Sequence, residues 1–346
     1  MRITQERKIA AGQEFEIDAF RPEDAPGIAN LLLSVYGPSY PFDLYYDPEK
    51  IVEVCRKREL FMVVARTPAG DIIASGGLYQ SAPPNRKLFE VGLYMVLPDY
   101  RETDAAFRIT KYLSNEMLAT SGLDGFFGEA VTNHMASQKV SWLAGTKETA
   151  IEMLLTPASM YQKEQSASGR VSCVMSFRIE HDQPQTLHLP LVYADILRPF
   201  ISKCGLERTL RPADAESTLP AASQIDGTWI ADAGVLRLHV ANIGADFTQR
   251  LAQAEIETVA DAPSVAVRQC FVRLTDSAIE LAVAQLRAQG YFLGGYLPRW
   301  FGDDALMMQQ LSDEPDFDAI QIYYDDTIAL LETIRADRQQ VLQQKK

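Results

Sequence analysis

The sequence contains few of the residues from which disulfide frameworks and metal centres are built. It has only four histidines in 346 residues and four widely separated cysteines, Cys55, Cys173, Cys204 and Cys270. Neither a C-x-x-C pair nor an H-E-x-x-H motif occurs. We therefore predict free, buried thiols, with no disulfide scaffold and no metal site.

Long apolar runs and a basic charge excess are also missing. No run of about 18 apolar residues occurs, and the N-terminal sequence MRITQERKIAAGQEFEID lacks the apolar region of a signal peptide. We therefore expect a cytoplasmic protein. The net charge is −13, from 46 acidic and 33 basic residues, which disfavours nucleic acid and anionic membranes as partners.

Periodic apolar patterns predict the elements of the first half of the chain. A strand at 15–19 precedes a helix that ends at Gly37, and strands at 60–66 and 72–79 form a hairpin. From Lys87 to Leu97 the residues alternate between two faces. Phe89, Val91, Leu93 and Met95 form the predicted core face, and Glu90, Gly92, Tyr94 and Val96 form the other face. The pattern continues with a helix after Pro98, a strand at 126–132, a helix at 136–144 and a strand at 149–155.

The length of the chain favours two domains, and the polar segment EHDQPQT at 180–186 is the best candidate boundary. Near the end of the second half, the order helix, glycine, strand, loop, strand repeats the order that begins at Ala136. This order suggests a weak internal duplication. The predicted domains are 1–182, 187–312 and a C-terminal extension, 313–346, with a strand at 320–324 and a final helix.

The segment from Glu90 to Ala106 is the strongest functional clue, because a strand runs through VLPDYR into the start of a helix. A helix N-terminus has unpaired N–H groups and the positive end of the helix dipole, and both attract anions. The pattern resembles the GNAT superfamily of acyl-CoA-dependent N-acyltransferases over residues 14–180, with a degenerate second copy at 187–312. The resemblance implies an α/β (α+β) fold of tandem GNAT-like domains, each with a mixed, mostly antiparallel, twisted sheet flanked by helices. It also implies acetyl-CoA, or another acyl-CoA, as cofactor.

The same resemblance implies which residues bind the cofactor. The run from Arg101 to Ala106 matches the family's phosphate loop in its arginine and its small last residue, but Asp104 replaces the first glycine. Asp104 would either repel a phosphate, with Arg101 and Arg108 compensating, or cap the helix and occupy its donors. The implied cofactor-binding residues are Tyr94, Met95, Val96, Arg101, Asp104, Ala105, Ala106 and His134.

Glu90 lies where many members of this family carry a general base. Acyl transfer needs such a base because a protonated amine has no lone pair for attack. A strand glutamate that faces solvent is the alternative interpretation, and it applies equally to a second candidate, Glu129. Alignment on Gly145 places Ser141 where the family has a tyrosine that protonates the leaving thiolate, and His134 where the family has asparagine. The usual proton donor is therefore missing.

The resulting hypothesis is an N-acyltransferase that moves an acetyl group from CoA to a primary amine of a small molecule. The acidic composition favours a cationic amine. A protein of the same fold that binds an acyl-CoA or another ligand without turnover is the main alternative. A further alternative is an interaction module that forms a homodimer through its C-terminal half.

Overall fold

The computed structural model describes residues 2–39, 43–158, 169–214, 218–259 and 264–344. These residues form two compact units. The first comprises Met1–Gly128 and Val140–Thr146, and the second comprises Glu129–Lys139 and Lys147–Lys346. None of the described helices is both long enough and apolar enough to cross a membrane.

The first unit is a mixed sheet with flanking helices. Its strands are β1 (Glu16–Ala19), β2 (Leu60–Arg66), β3 (Ile72–Tyr79), β4 (Leu88–Val96) and β5 (Gly125–Val131), of which β5 continues into the second unit. Its helices are α1 (Ala25–Tyr36), α2 (Pro48–Arg56), α3 (Ala105–Lys111), α4 (Leu118–Ser121) and the second half of α5 (Ala136–Leu143), which begins in the second unit. A π-helical turn, Tyr112–Met117, lies between α3 and α4. Strands β1 to β4 pair antiparallel in chain order, and β5 pairs parallel to β4.

The sequence pattern places these elements because their apolar positions coincide with the core. Ile28, Leu31 and Leu32 of α1 are fully buried, and the helix ends at Gly37 with a positive φ of 71°. The predicted hairpin forms with its predicted bounds, β2 against β3. The predicted fold class, a mixed and mostly antiparallel sheet flanked by helices, is confirmed.

Strand β4 contains one extra residue relative to β3. Ser75 pairs with Met95 and Gly77 with Gly92, so two steps along β3 match three along β4. Leu93 takes up the extra residue with a φ of 55°, in the left-handed region that residues other than glycine rarely adopt. The result is a β-bulge, which reverses the side-chain alternation for the rest of the strand.

The predicted placement of Tyr94 on the face of Glu90 is therefore wrong. A Cβ atom added to Gly76 would lie 3.1 Å from the Tyr94 ring and close to Ile109, so Tyr94 lies on the face that packs against α3. Glu90 pairs across the ladder with Tyr79, three residues away from Gly76 and on the opposite face. The bulge explains the error, since a strict period of two assumes that every residue pairs.

The second unit is also built of strands and flanking helices. Its strands are β6 (Lys147–Thr156), β7 (Val171–Ile179), β8 (Gln185–Leu189), β9 (Arg208–Pro212), β10 (Gln224–Ile230), β11 (Val235–Asn242), β12 (Val267–Arg273), β13 (Phe292–Leu297) and β14 (Ala305–Leu311). Its helices are α6 (Ala194–Lys203), α7 (Phe247–Val259), α8 (Ile279–Gln289) and α9 (Asp325–Gln344). The main sheet has the order β7-β6-β13-β14-β12-β11-β10, and β8 pairs with β9 separately.

The connectivity of the second half repeats that of the first. Strand β11, helix α7, parallel strand β12, helix α8 and the hairpin β13–β14 follow the order of β4, α3, β5, α5 and the hairpin β6–β7. The segment at 180–184 lies between β7 and β8 and has no regular structure. This order favours a duplication, while the division at 1–182, 187–312 and 313–346 stays a prediction.

Residues 320–324, predicted as a strand, do not form one. The Gln138 side chain binds this segment, donating to the Gln321 carbonyl at 2.8 Å and accepting from the Tyr323 N–H at 2.9 Å. The Gln321 N–H donates to the Thr132 carbonyl. Because a side-chain amide takes the place of a ladder partner, an apolar pattern alone could not identify this conformation.

Helix α9 is fixed to the second unit by a buried carboxylate, Asp337. The carboxylate accepts from the Tyr193 hydroxyl at 2.8 Å, from the Leu293 N–H at 2.8 Å and from the Arg287 guanidinium. Asp337 is 5% exposed and Arg287 is 9% exposed. Leu330 and Ile334 of the same helix are part of the apolar core of this unit. Helix α9 is therefore an integral part of the unit.

We expect Asp337→Asn to destabilise the second unit by about 3 kcal/mol, because removing one partner leaves a buried charge uncompensated. Glu332→Gln is the matched control, since Glu332 lies on the same helix and is exposed, where loss of a charge costs less than about 0.5 kcal/mol. Urea unfolding followed by circular dichroism measures both. Equal losses in the two variants would contradict the assigned role of Asp337.

Candidate active site

The candidate site of the first unit begins where β4 and β5 separate. The parallel ladder between them covers three residue pairs, from Leu88↔Gly125 to Glu90↔Phe127. Beyond Glu90, β4 continues to Val96 through the bulge at Leu93 without a β5 partner in the described residues. A strand edge of this kind leaves peptide N–H and C=O groups available to a ligand.

The start of α3 supplies further peptide donors. The Ala106 and Phe107 N–H groups have no acceptor within the described part of the chain, while the Ala105 N–H lies 3.3 Å from the Thr103 hydroxyl. Helix α3 continues without interruption through the π-helical turn into α4. These donors therefore lie at the positive end of a continuous helical segment.

Asp104 takes the N-cap position of α3 without capping it. Its side chain makes no cap hydrogen bond; it is 63% exposed and lies 3.7 Å from a nitrogen of Arg108. The expectation that its oxygens would occupy the helix donors is therefore wrong, because the carboxylate points towards solvent and Arg108. Arg101 is exposed in the turn before the helix, and the Arg108 guanidinium lies 5.2 Å from the centre of the Phe15 ring.

Glu90 has tyrosines beside it. The Tyr79 hydroxyl donates a hydrogen bond to Glu90 Oε1 across the β3–β4 ladder. Burial, and secondly the charge of Glu90, raises the pKa of Tyr45 well above its usual value. The Tyr45 phenol therefore remains protonated at neutral pH, near a half-buried carboxylate.

The other predicted residues of this unit divide between core and surface. Met95 and Ala105 are buried in the core, and Val96 and Ala106 are half-buried. Burial raises the pKa of Tyr94 to about 12, partly offset by a hydrogen bond with the Thr110 side chain. The Tyr94 ring therefore has a packing role, whereas its peptide group lies in the part of β4 that does not pair with β5.

Ser141 belongs to the first unit and is half-buried on α5, where its carbonyl accepts from the Thr146 hydroxyl at 2.8 Å. Glu129 and His134 belong to the second unit. The Glu129 carboxylate lies 3.1 Å from a nitrogen of Arg237, and the buried His134 Nδ1 has no hydrogen-bond partner in the described residues. The roles predicted for these three residues stay predictions.

The chain is similar over about half its length to solved structures of acetyltransferases. The ribosomal-protein-S5-alanine acetyltransferase of Vibrio fischeri is 15% identical, with a TM-score of 0.39 and coverage of 50% of this chain and 97% of its own. The spermidine/spermine N-acetyltransferase of Vibrio cholerae is 10% identical, with a TM-score of 0.38 and coverage of 48% and 95%. A GNAT-superfamily phosphinothricin acetyltransferase of Sinorhizobium meliloti, in complex with AcCoA, is 12% identical, with a TM-score of 0.38 and coverage of 48% and 89%.

No protein-family model matches the sequence, and neither does any curated protein.

The corresponding strands of the second unit stay paired. Strands β11 and β12 pair over six residues, from Val235↔Val267 to Val240↔Val272, without a register shift. The loop after β11 uses its own donors, since the Ile243 N–H donates to the Asp276 carboxylate and the Gly244 N–H to the Ser223 hydroxyl. An anion would therefore have to displace contacts that the chain already makes.

The charge at the equivalent strand position is also reversed. The third pair of the parallel ladder is Glu90↔Phe127 in the first unit and Arg237↔Gln269 in the second. Arg237 is 4% exposed and donates to Glu152 at 2.9 Å and to Gln269 at 2.8 Å. A buried guanidinium that is bound by its neighbours cannot act as a base.

His239, two residues further along β11, is held neutral in an aromatic stack. Its ring lies 4.9 Å from that of Phe271 and 6.3 Å from that of Trp300, with Phe301 at its edge. Burial, and secondly the charge of Arg237, lowers the pKa of His239 to about 3. The folded chain therefore leaves this histidine unprotonated at a pH where the unfolded chain protonates it.

This difference predicts that the second unit loses stability as the pH falls below about 6.5, the value for an unfolded histidine. The loss of stability caused by His239 reaches about 2 kcal/mol at pH 5. It continues to grow as the pH falls towards the pKa of His239 in the folded chain. His239→Phe keeps an aromatic ring in the stack and removes the titration. Chemical unfolding at pH 7 and pH 5 should show a smaller loss in the variant, and equal losses would refute the neutral state.

The four cysteines are free; Cys173 and Cys270 are buried as predicted, whereas Cys55 and Cys204 are only half-buried. Burial raises the pKa of Cys55 and of Cys204 to about 12, and Cys173 and Cys270 lie in the core. At pH 8 only about one thiol in ten thousand at such a site is ionised. The protein should therefore contribute little background to an assay that detects a released thiol.

Sequence reasoning missed the residues that shape the site, Tyr79, Gly92 and the bulge at Leu93. Gly92 was a visible signal, because a glycine inside a strand often marks a bulge or a close approach. No sequence signal pointed to Tyr79, because its role depends on the pairing register between β3 and β4.

Proposed function

We propose that the first unit binds acetyl-CoA and transfers the acetyl group to a primary amine of a small molecule. The observation that carries the proposal is the combination of a bulged strand that leaves β5 after Glu90 and a helical segment that starts with free N–H donors. These features offer one set of peptide donors to an acyl carbonyl and another to a diphosphate. The second unit is proposed to be a degenerate copy of the same fold without a cofactor site.

The charges at the helix start fit a phosphate group with one exception. Arg101 is exposed, and the Ala106 and Phe107 donors are not used by the chain. Asp104 opposes an anion, but its exposure permits screening by water and salt, and Arg108 lies beside it. The residues present therefore fit a diphosphate with a reduced affinity.

The chemistry assigned to the chain is proton transfer and charge stabilisation. Acetyl-CoA supplies an acyl group that is activated as a thioester. Glu90 takes the proton from the amine, directly or through water, so that the nitrogen lone pair can attack. A peptide N–H group near Tyr94 to Val96 stabilises the negative charge that develops on the carbonyl oxygen.

Departure of the thiolate needs little help, because a thiol has a pKa of about 8.5. Water or Ser141 can supply its proton. A negatively charged protein with a carboxylate at the site favours a cationic acceptor, such as an amino acid derivative or a polyamine.

The first test is binding of CoA and acetyl-CoA by isothermal titration calorimetry and thermal shift. We expect one site per chain, and stabilisation of about 2.7 kcal/mol at 100 times the dissociation constant. Asp104→Asn should bind about threefold to tenfold more tightly, since a screened like charge is removed. Two sites per chain would contradict the proposal that the second unit has no cofactor site. No binding at millimolar concentration would refute the proposed function.

The second test is turnover with a panel of cationic amines, followed by release of the CoA thiol. We expect Glu90→Gln to lower kcat about 100-fold or more, without changing CoA affinity, because the variant has lost its base. Glu116→Gln, an exposed residue of the π-helical turn, is the control. If CoA binds and no amine is acetylated, the chain is a binding protein and not a transferase.

A further inference from the structure

The carboxylate of Glu90 is held by a side chain on the neighbouring strand. Tyr79 and Glu90 are direct partners in the β3–β4 ladder, so their side chains leave the sheet on the same face. The Tyr79 hydroxyl donates to one oxygen of the Glu90 carboxylate. This bond restricts rotation of the glutamate side chain.

Gly92 makes this contact possible. A Cβ atom at position 92 would lie 3.0 Å from Cε1 of Tyr79 and 3.3 Å from its hydroxyl. The backbone of Gly92 is not in the left-handed conformation. Glycine is therefore not needed at this position to form a turn or to relieve backbone strain. The missing side chain instead gives space for the tyrosine ring beside β4.

The position of the pair connects it to the opening in the sheet. Glu90 is the last β4 residue that pairs with β5, and the bulge at Leu93 follows three residues later. A carboxylate fixed at this point lies at the edge of the separated part of β4.

We propose that Tyr79 is a positioning residue that holds Glu90 in the orientation for proton transfer, and that Gly92 provides the space for it. The inference rests on the proposed function, because it assigns the role of Tyr79 through the base Glu90. The inference makes a prediction that the proposed acyl transfer alone does not make. Removing the Tyr79 hydroxyl group should change proton transfer and leave cofactor binding intact.

The test compares Tyr79→Phe and Gly92→Ala with the wild-type chain and with Tyr112→Phe. Tyr112, a half-buried residue of the π-helical turn, is the matched control for loss of a phenol hydroxyl. For Tyr79→Phe we expect kcat to fall about tenfold, the Kd for CoA to stay within about twofold, and the acidic limb of the kcat/KM profile to move to higher pH. Gly92→Ala should show the same pattern, and Tyr112→Phe should match the wild type.

The outcomes separate this inference from the proposed function. If the wild-type chain neither binds CoA nor acetylates an amine, the function fails and the role of Tyr79 fails with it. If the wild type is active and Tyr79→Phe retains its kcat and pH profile, the inference alone is overturned. If Tyr79→Phe lowers kcat and CoA affinity together with its melting temperature, the tyrosine is structural and the positioning role is also overturned.

Discussion

The single extra residue at Leu93 is the constraint from which the rest of the first unit's site follows. It moves Tyr94 to the α3 face, and it lies in the part of β4 that continues past Glu90 without pairing to β5. Without the bulge, β4 would present one continuous alternation, and Tyr94 would share a face with Glu90. The backbone conformation of Leu93 is unfavourable for a residue with a Cβ atom, so surrounding contacts must stabilise it. Such a local cost is common where a backbone is shaped to receive a ligand.

The two parallel strand pairs show how similar connectivity leads to opposite outcomes. In the second unit, β11 pairs with β12 over six consecutive residues, and buried polar groups fill the sheet face that contains Arg237 and His239. These groups satisfy one another or are kept neutral, so they contribute to a defined fold. In the first unit the polar groups that matter are peptide donors at a strand edge and a helix start, and the chain itself does not use them all.

Most elements could be predicted from the sequence because their apolar period matches their burial. This holds for α1, the β2–β3 hairpin and α8, which ends at Gly290 in the left-handed conformation. The failures have a common cause, namely contacts that depend on register or on distant residues. The bulge in β4 is invisible to a period of two, and residues 320–324 are bound by Gln138, far away in sequence. In the site, Glu90 and the helix start could be proposed from local sequence, whereas Tyr79 required the pairing of β3 with β4.

The protonation of the thiols has a consequence for a chain that is proposed to use a thioester as a substrate. Thiol–disulfide exchange requires a thiolate, and both Cys55 and Cys204 stay almost fully protonated at physiological pH. Oxidised coenzyme would therefore form mixed disulfides with these positions only very slowly. The packing around these two residues thus also slows covalent modification of the folded chain by the thiol that it is proposed to release.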